Sequence, residues 1–91
     1  MFKSVQEEIE WVEEAEALFY ALNEKLPEQY QTIDQLIDVG ETSLALDDVA
    51  YCYANAKMTP DAALMARLHV LNEKYPFTDM VAVEERLAAI S

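Results

Sequence analysis

Glycine occurs once in the 91 residues. A chain with one glycine has no glycine-rich loop to cradle a phosphate, and it lacks the residue that tight hairpin turns favour. Cysteine also occurs once, so no intramolecular disulfide can form, which suits a reducing compartment. Histidine is equally scarce. A zinc site takes three or four ligands, and a di-iron bundle site takes paired Glu-x-x-His motifs. His69 with Cys52 supplies neither, so no metal or other cofactor is expected. Ser43 and Cys52 have no histidine base beside them, so nucleophilic catalysis has no support and the protein is not expected to be an enzyme. Six scattered Lys and Arg make no basic patch, which argues against direct binding of nucleic acid. The longest apolar stretch, Ala17 to Leu22, is too short to span a membrane. Met1-Phe2-Lys3-Ser4 runs straight into acidic sequence without the apolar core of a signal peptide. A cytoplasmic protein without membrane contact is expected.

What is abundant is negative charge. Eighteen Asp and Glu stand against six Lys and Arg, a formal net charge of −12, in a chain that is 53% hydrophobic. The acids are woven into periodic segments, so this is no disordered tail. Residues 1–28 hold eight Glu against two Lys, and residues 59–91 hold five acids against three bases. Such a field repels polyanions and draws in basic partners quickly. The length fits one domain over residues 1–91.

Apolar spacing predicts an all-α domain, a compact bundle of four to five helices. The first runs from about Ser4 to Leu26. Ser4 and Glu7 form a capping-box pattern, and Val5, Ile9, Val12, Phe19, Leu22 and Leu26 form its stripe. Pro27 blocks continuation. The second spans about Pro27 to Val39, with Tyr30, Ile33 and Ile37 on one face, and ends at Gly40 in a left-handed cap. The third starts at Thr42 or Ser43 and reaches about Ala56, with Leu46, Val49, Ala50 and Tyr53 inward. Thr59-Pro60 opens the fourth as N-cap and first helical residue, with Leu64, Leu68, Leu71 and Tyr75 inward. The fifth follows Thr78-Asp79 and buries Met80, Val83, Leu87 and Ile90. Leu22-Asn23-Glu24-Lys25-Leu26-Pro27 resembles Leu71-Asn72-Glu73-Lys74-Tyr75-Pro76. The match fades on both sides, so both are read as helix ends of similar chemistry.

The candidate contact residues are acidic or aromatic. Glu10 and Glu14 share one face of the first helix; they form either a solvated face or a surface for basic groups. Asp47, Asp48 and Tyr51 share a flank of the third helix with Leu44 and Asn55. Tyrosine beside carboxylates is good contact chemistry, with a rigid ring, a hydroxyl and neighbouring charge. The competing reading packs Tyr51 beneath another helix. Cys52 reads as a small apolar residue, because acidic surroundings disfavour its thiolate. His69, with Glu73 one turn later, reads as a surface histidine.

The stretch Leu36-Ile37-Asp38-Val39-Gly40-Glu41-Thr42-Ser43-Leu44-Ala45-Leu46-Asp47-Asp48 resembles small immunity proteins of polymorphic toxin systems. The nearest likeness is to the MafI-type family and related helical immunity proteins of contact-dependent growth inhibition. Thr59-Pro60 fits the same pattern, and the resemblance covers about residues 33–90. It implies an intracellular inhibitor that binds a toxin's C-terminal domain, often a ribonuclease, as a monomer in a 1:1 complex. Charge points independently to a basic protein partner, and nucleases are commonly basic because their substrate is a polyanion. The alternative is a helical adaptor or secretion chaperone that holds an apolar client segment, marked by an exposed apolar groove or an obligate dimer. A small carboxylate-metal enzyme would need acids converging in the core, and the stripes are too apolar for that.

Overall fold

Helix α1 spans Val5–Glu24 and starts as the capping pattern requires. Ser4 Oγ accepts from the Glu7 amide at 3.1 Å. The reciprocal half of the box is displaced: the Glu7 carboxylate takes the Lys3 amide at 3.4 Å and the Tyr75 hydroxyl. The computed structural model describes residues 1–90, and among these there is no strand.

Phe19, Leu22 and Leu26 of the expected stripe are buried, but its N-terminal half is not: Val5 is 76% exposed and Ile9 46%, and Trp11, Ala15 and Leu18 are buried in their place. Burying Trp11 and Leu18 removes large apolar side chains from water, which favours this orientation of the N-terminal half. Lys25 lies at the C-cap and pairs with Asp61 at 3.7 Å.

The second expected helix is the larger correction. Residues 27–39 do not form one helix; they form a 3₁₀ turn at Glu28–Tyr30 and a single turn, α2, at Gln35–Asp38. Ile33 is 72% exposed and Tyr30 37%, and only Ile37 is buried. Side chains offer this backbone alternative partners. Asn23 donates to the Thr32 carbonyl at 2.9 Å and accepts the Thr32 amide at 3.0 Å, and Gln31 donates to the Leu26 carbonyl. Such bonds compete with helix ladders. The Gly40 cap is as expected. Gly40 has φ +80°, its amide bonds to Ile37 and that of Glu41 to Leu36, a Schellman ending.

Helix α3, Thr42–Ala56, has the expected inward face of Leu46, Val49, Ala50 and Tyr53, extended by Thr42 and Ala45. The Tyr53 hydroxyl donates to the Leu22 carbonyl at 2.7 Å in the core. α3 ends in a second Schellman motif, with Lys57 at φ 55°. A left-handed lysine carries a steric cost that glycine does not. Lys57→Gly is therefore expected to stabilise the domain by about 0.5–1 kcal/mol, read as a higher urea midpoint with unchanged slope.

Helix α4 is Ala62–Lys74. Its N-cap is Asp61 and not Thr59, because Asp61 Oδ1 accepts from the amides of Ala63 and Leu64 at 2.9 and 3.2 Å. These bonds hold the Asp61 carboxyl below its ordinary pKa, the Leu64 amide contributing most. Pro60 is buried one residue before the cap. Helix α5, Thr78–Ala88, buries Met80, Val83 and Leu87 as expected, whereas Ile90, expected with them, lies past the C-cap and is only partly buried.

α1 packs on α3 and α4, and α5 packs on the same two helices. The four long helices therefore close a ring in the order α1, α3, α5, α4, with α2 against α3. The α1–α4 seam and the α3–α5 seam lie on opposite sides of that ring. Phe2, Trp11 and Phe77 meet edge to face or tilted, with centroids 5.4–5.8 Å apart, and fix the N-terminal residues to the bundle.

Candidate contact surface

One side of α3 is core. The opposite side of such a helix is ordinarily polar. Here it carries Leu44 and Tyr51, 52% and 53% exposed, two turns apart with exposed Asp48 between them. That exposure removes the reading in which Tyr51 packs beneath another helix. Instead Arg86 of α5 lies over the ring, its guanidinium carbon 4.4 Å from the ring centroid. The same guanidinium pairs with half-buried Asp47. One arginine thus holds a ring and a carboxylate that sit one turn apart on α3. A contact of this kind at an exposed site is worth about 0.5–1 kcal/mol. Its larger effect is preorganisation, since a ring already held loses less freedom when a partner covers it. Between α3 and α5 runs a shallow cleft of about 180 Å³, lined by Ser43, Leu44, Asp47, Asp79 and Ala82.

Glu10 and Glu14 are not part of this surface. They line the cleft between α1 and α4, with Trp11, Arg67 and Lys74. Glu14 makes a two-pronged pair with Arg67, at 2.8 Å to Nη2 and 3.1 Å to Nε. Glu10 is exposed and in no ion pair among the described residues. The five residues singled out by sequence therefore divide between opposed seams. Asp47, Asp48 and Tyr51 come together; Glu10 and Glu14 face away. Glu14 and Asp47 already have arginine partners, while Asp48 and Glu10 do not.

Sequence reasoning passed over Tyr20, which lay inside an apolar run. It is 43% exposed and donates to Asp34 Oδ2 at 2.9 Å. That bond chiefly raises the phenol's pKa, helped by burial and by the charges of Asp34, Asp38 and Glu16. Nothing local links residue 20 to residue 34; the loop over Asn23 brings them together.

His69 is exposed, as expected, but it has a partner from another helix. Nδ1 is 2.8 Å from Glu84 of α5, and Nε2 is 3.6 Å from Glu73. The Glu84 hydrogen bond, then the charges of Glu84 and Glu73, raise its pKa above the ordinary 6.5. A raised folded pKa favours the native state where the unfolded histidine is also protonated. That contribution is full below about pH 6.5 and is lost as pH rises through the folded value. The urea midpoint is expected to fall over this window, and His69→Gln should flatten the fall.

Among the described residues no three His, Cys, Asp or Glu are grouped to hold a metal ion, and no helix is long and apolar enough to cross a membrane. No protein-family model, curated protein or solved structure matches this chain.

Proposed function

We propose that this domain is an immunity protein that binds and neutralises the basic effector domain of a polymorphic toxin, expected to be a ribonuclease. The outward face of α3 carries the reading. Leu44 and Tyr51 offer an apolar centre, Asp48 stands between them, and Arg86 steadies the ring. Interface hot spots favour such aromatic anchors beside charge. The rest of the molecule supplies the field. Lys25, Arg67 and Arg86 pair with Asp61, Glu14 and Asp47, so 15 of the 18 Asp and Glu have no Lys or Arg partner among the described residues. Acids on this surface occupy positions meant for phosphate, or lie beside them and exclude substrate.

The test first reads the neighbouring reading frames, where the proposal expects a large secreted protein, and then uses the C-terminal domain of that protein. Inhibition of its ribonuclease activity should saturate at one equivalent. Association should slow about tenfold or more between roughly 50 and 500 mM salt, because screening removes steering. Absence of binding overturns the reading. Binding whose rate ignores salt favours the adaptor that holds an apolar client, because apolar contacts are not steered by charge.

A further inference from the structure

A groove of about 320 Å³ runs between α4 and α5, lined by His69, Asn72, Glu73, Val81, Glu84, Glu85 and Ala88. Its polar element is Asn72, which is 5% exposed. Asn72 Nδ2 donates to the Met80 carbonyl at 3.1 Å and to Glu84 Oε1 at 2.8 Å. Two acceptors fix which way the amide points. Its Oδ1 is buried and has no hydrogen-bond partner. Asn23 occupies the same place in the Leu-Asn-Glu-Lys-x-Pro ending of α1, and there the amide is complete, Oδ1 accepting the Thr32 amide. A buried carbonyl without a donor is uncommon, and it favours a donor or a cation nearby.

We propose that this groove receives an arginine side chain of the protein partner, its guanidinium bridging Glu84 and Asn72 Oδ1. The nature of the partner rests on the immunity reading; the ligand chemistry rests on the groove itself. Three carboxylates, Glu73, Glu84 and Glu85, stand along a groove whose exposed surface is mainly apolar, and their charge favours a cation, a place that His69 now takes beside Glu73 and Glu84. Val81 and Ala88 offer apolar surface for an aliphatic stem. Arginine fits better than lysine, because its planar fork presents five donors, whereas an ammonium is a compact and strongly hydrated point charge. His69 now occupies part of that role. Its bond to Glu84 ties α4 to α5 across the groove, and the incoming guanidinium displaces it from Glu84; Oδ1 has almost no accessible surface, so Asn72 must also shift for the bridge to form.

The experiment is an NMR titration of the isotope-labelled 91-residue chain at about pH 8, above the ordinary histidine range. The probes are N-acetyl-arginine methylamide, the lysine equivalent and sodium chloride at matched ionic strength. With arginine, the Asn72 side-chain NH₂ and the amides of Val81, Glu84 and Ala88 should shift saturably, and lysine should bind at least about threefold more weakly. His69→Ala, at an exposed position, should tighten arginine binding by freeing Glu84. Glu84→Gln should weaken it about tenfold, the effect of one charged hydrogen bond. Equal responses to arginine, lysine and salt, or shifts elsewhere only, overturn the proposal, as does no change in either variant. Toxin binding without these shifts overturns the groove alone; these shifts without toxin binding overturn the immunity reading alone.

Discussion

Leu18→Ala is expected to destabilise the domain by about 3 kcal/mol, and Val5→Ala by no more than about 0.5 kcal/mol. The two positions separate the observed face of α1 from the stripe read off the sequence. Leu18 has no exposed surface, and it belongs to the one continuous core formed with Leu22, Leu46, Val49, Leu68, Met80 and Val83. Truncation there loses the transfer free energy of the removed carbons and leaves a hole that a close-packed interior fills only in part. Val5 stands in the first turn of α1 and is 76% exposed, so its removal returns little apolar area to water. Urea unfolding of both variants, with slopes compared, is the measurement. Similar losses at the two positions would mean that Val5 is packed and that α1 is rotated relative to its partners.

Under the proposed function, Tyr51→Ala is expected to speed dissociation from the toxin partner about thirtyfold, equivalent to roughly 2 kcal/mol, with little change in association. The ring lies on the outward face of α3, one turn beyond Asp48, and Arg86 lies over it. Its loss removes an anchor and also releases Arg86, whose remaining partner is Asp47. Tyr51→Phe keeps the ring and should retain most of the lifetime. Charge reversal at Glu10 should act differently. It is exposed, lies on the opposite seam and has no ion pair among the described residues, so it contributes to the approach through the field and its change should appear in the association rate. Glu14 is the poorer probe, since reversing it also strands Arg67. Kinetics measured at low and high salt separate these effects. A Tyr51→Ala variant with unaltered dissociation would remove the α3 face as the contact and shift attention to the acids around Tyr20.

Sequence alone determined the helical class, four of the helices to within a few residues, and the glycine turn. These depend on local physics. Ser4 accepts the Glu7 amide, Pro27 and Pro76 follow helix ends, Gly40 takes the left-handed φ, and Leu46, Val49 and Tyr53 recur at helical spacing. Sequence alone also set the net charge and the scarcity of histidine, cysteine and glycine. Tertiary structure decided the rest. The inward residues of the N-terminal half of α1 were ambiguous, and only the packing of α3 and α4 against it chooses Trp11, Ala15 and Leu18 over Val5 and Ile9. The stretch after Pro27 was unreadable as a loop because its partners lie outside it, on Asn23. The availability of each carboxylate was likewise hidden. Glu14 is paired by an arginine 53 residues away and Asp47 by one 39 residues away, whereas Asp48, adjacent to Asp47, faces outward. Periodicity records which way a side chain leaves its own helix, but the neighbouring helix decides whether its charge is already matched.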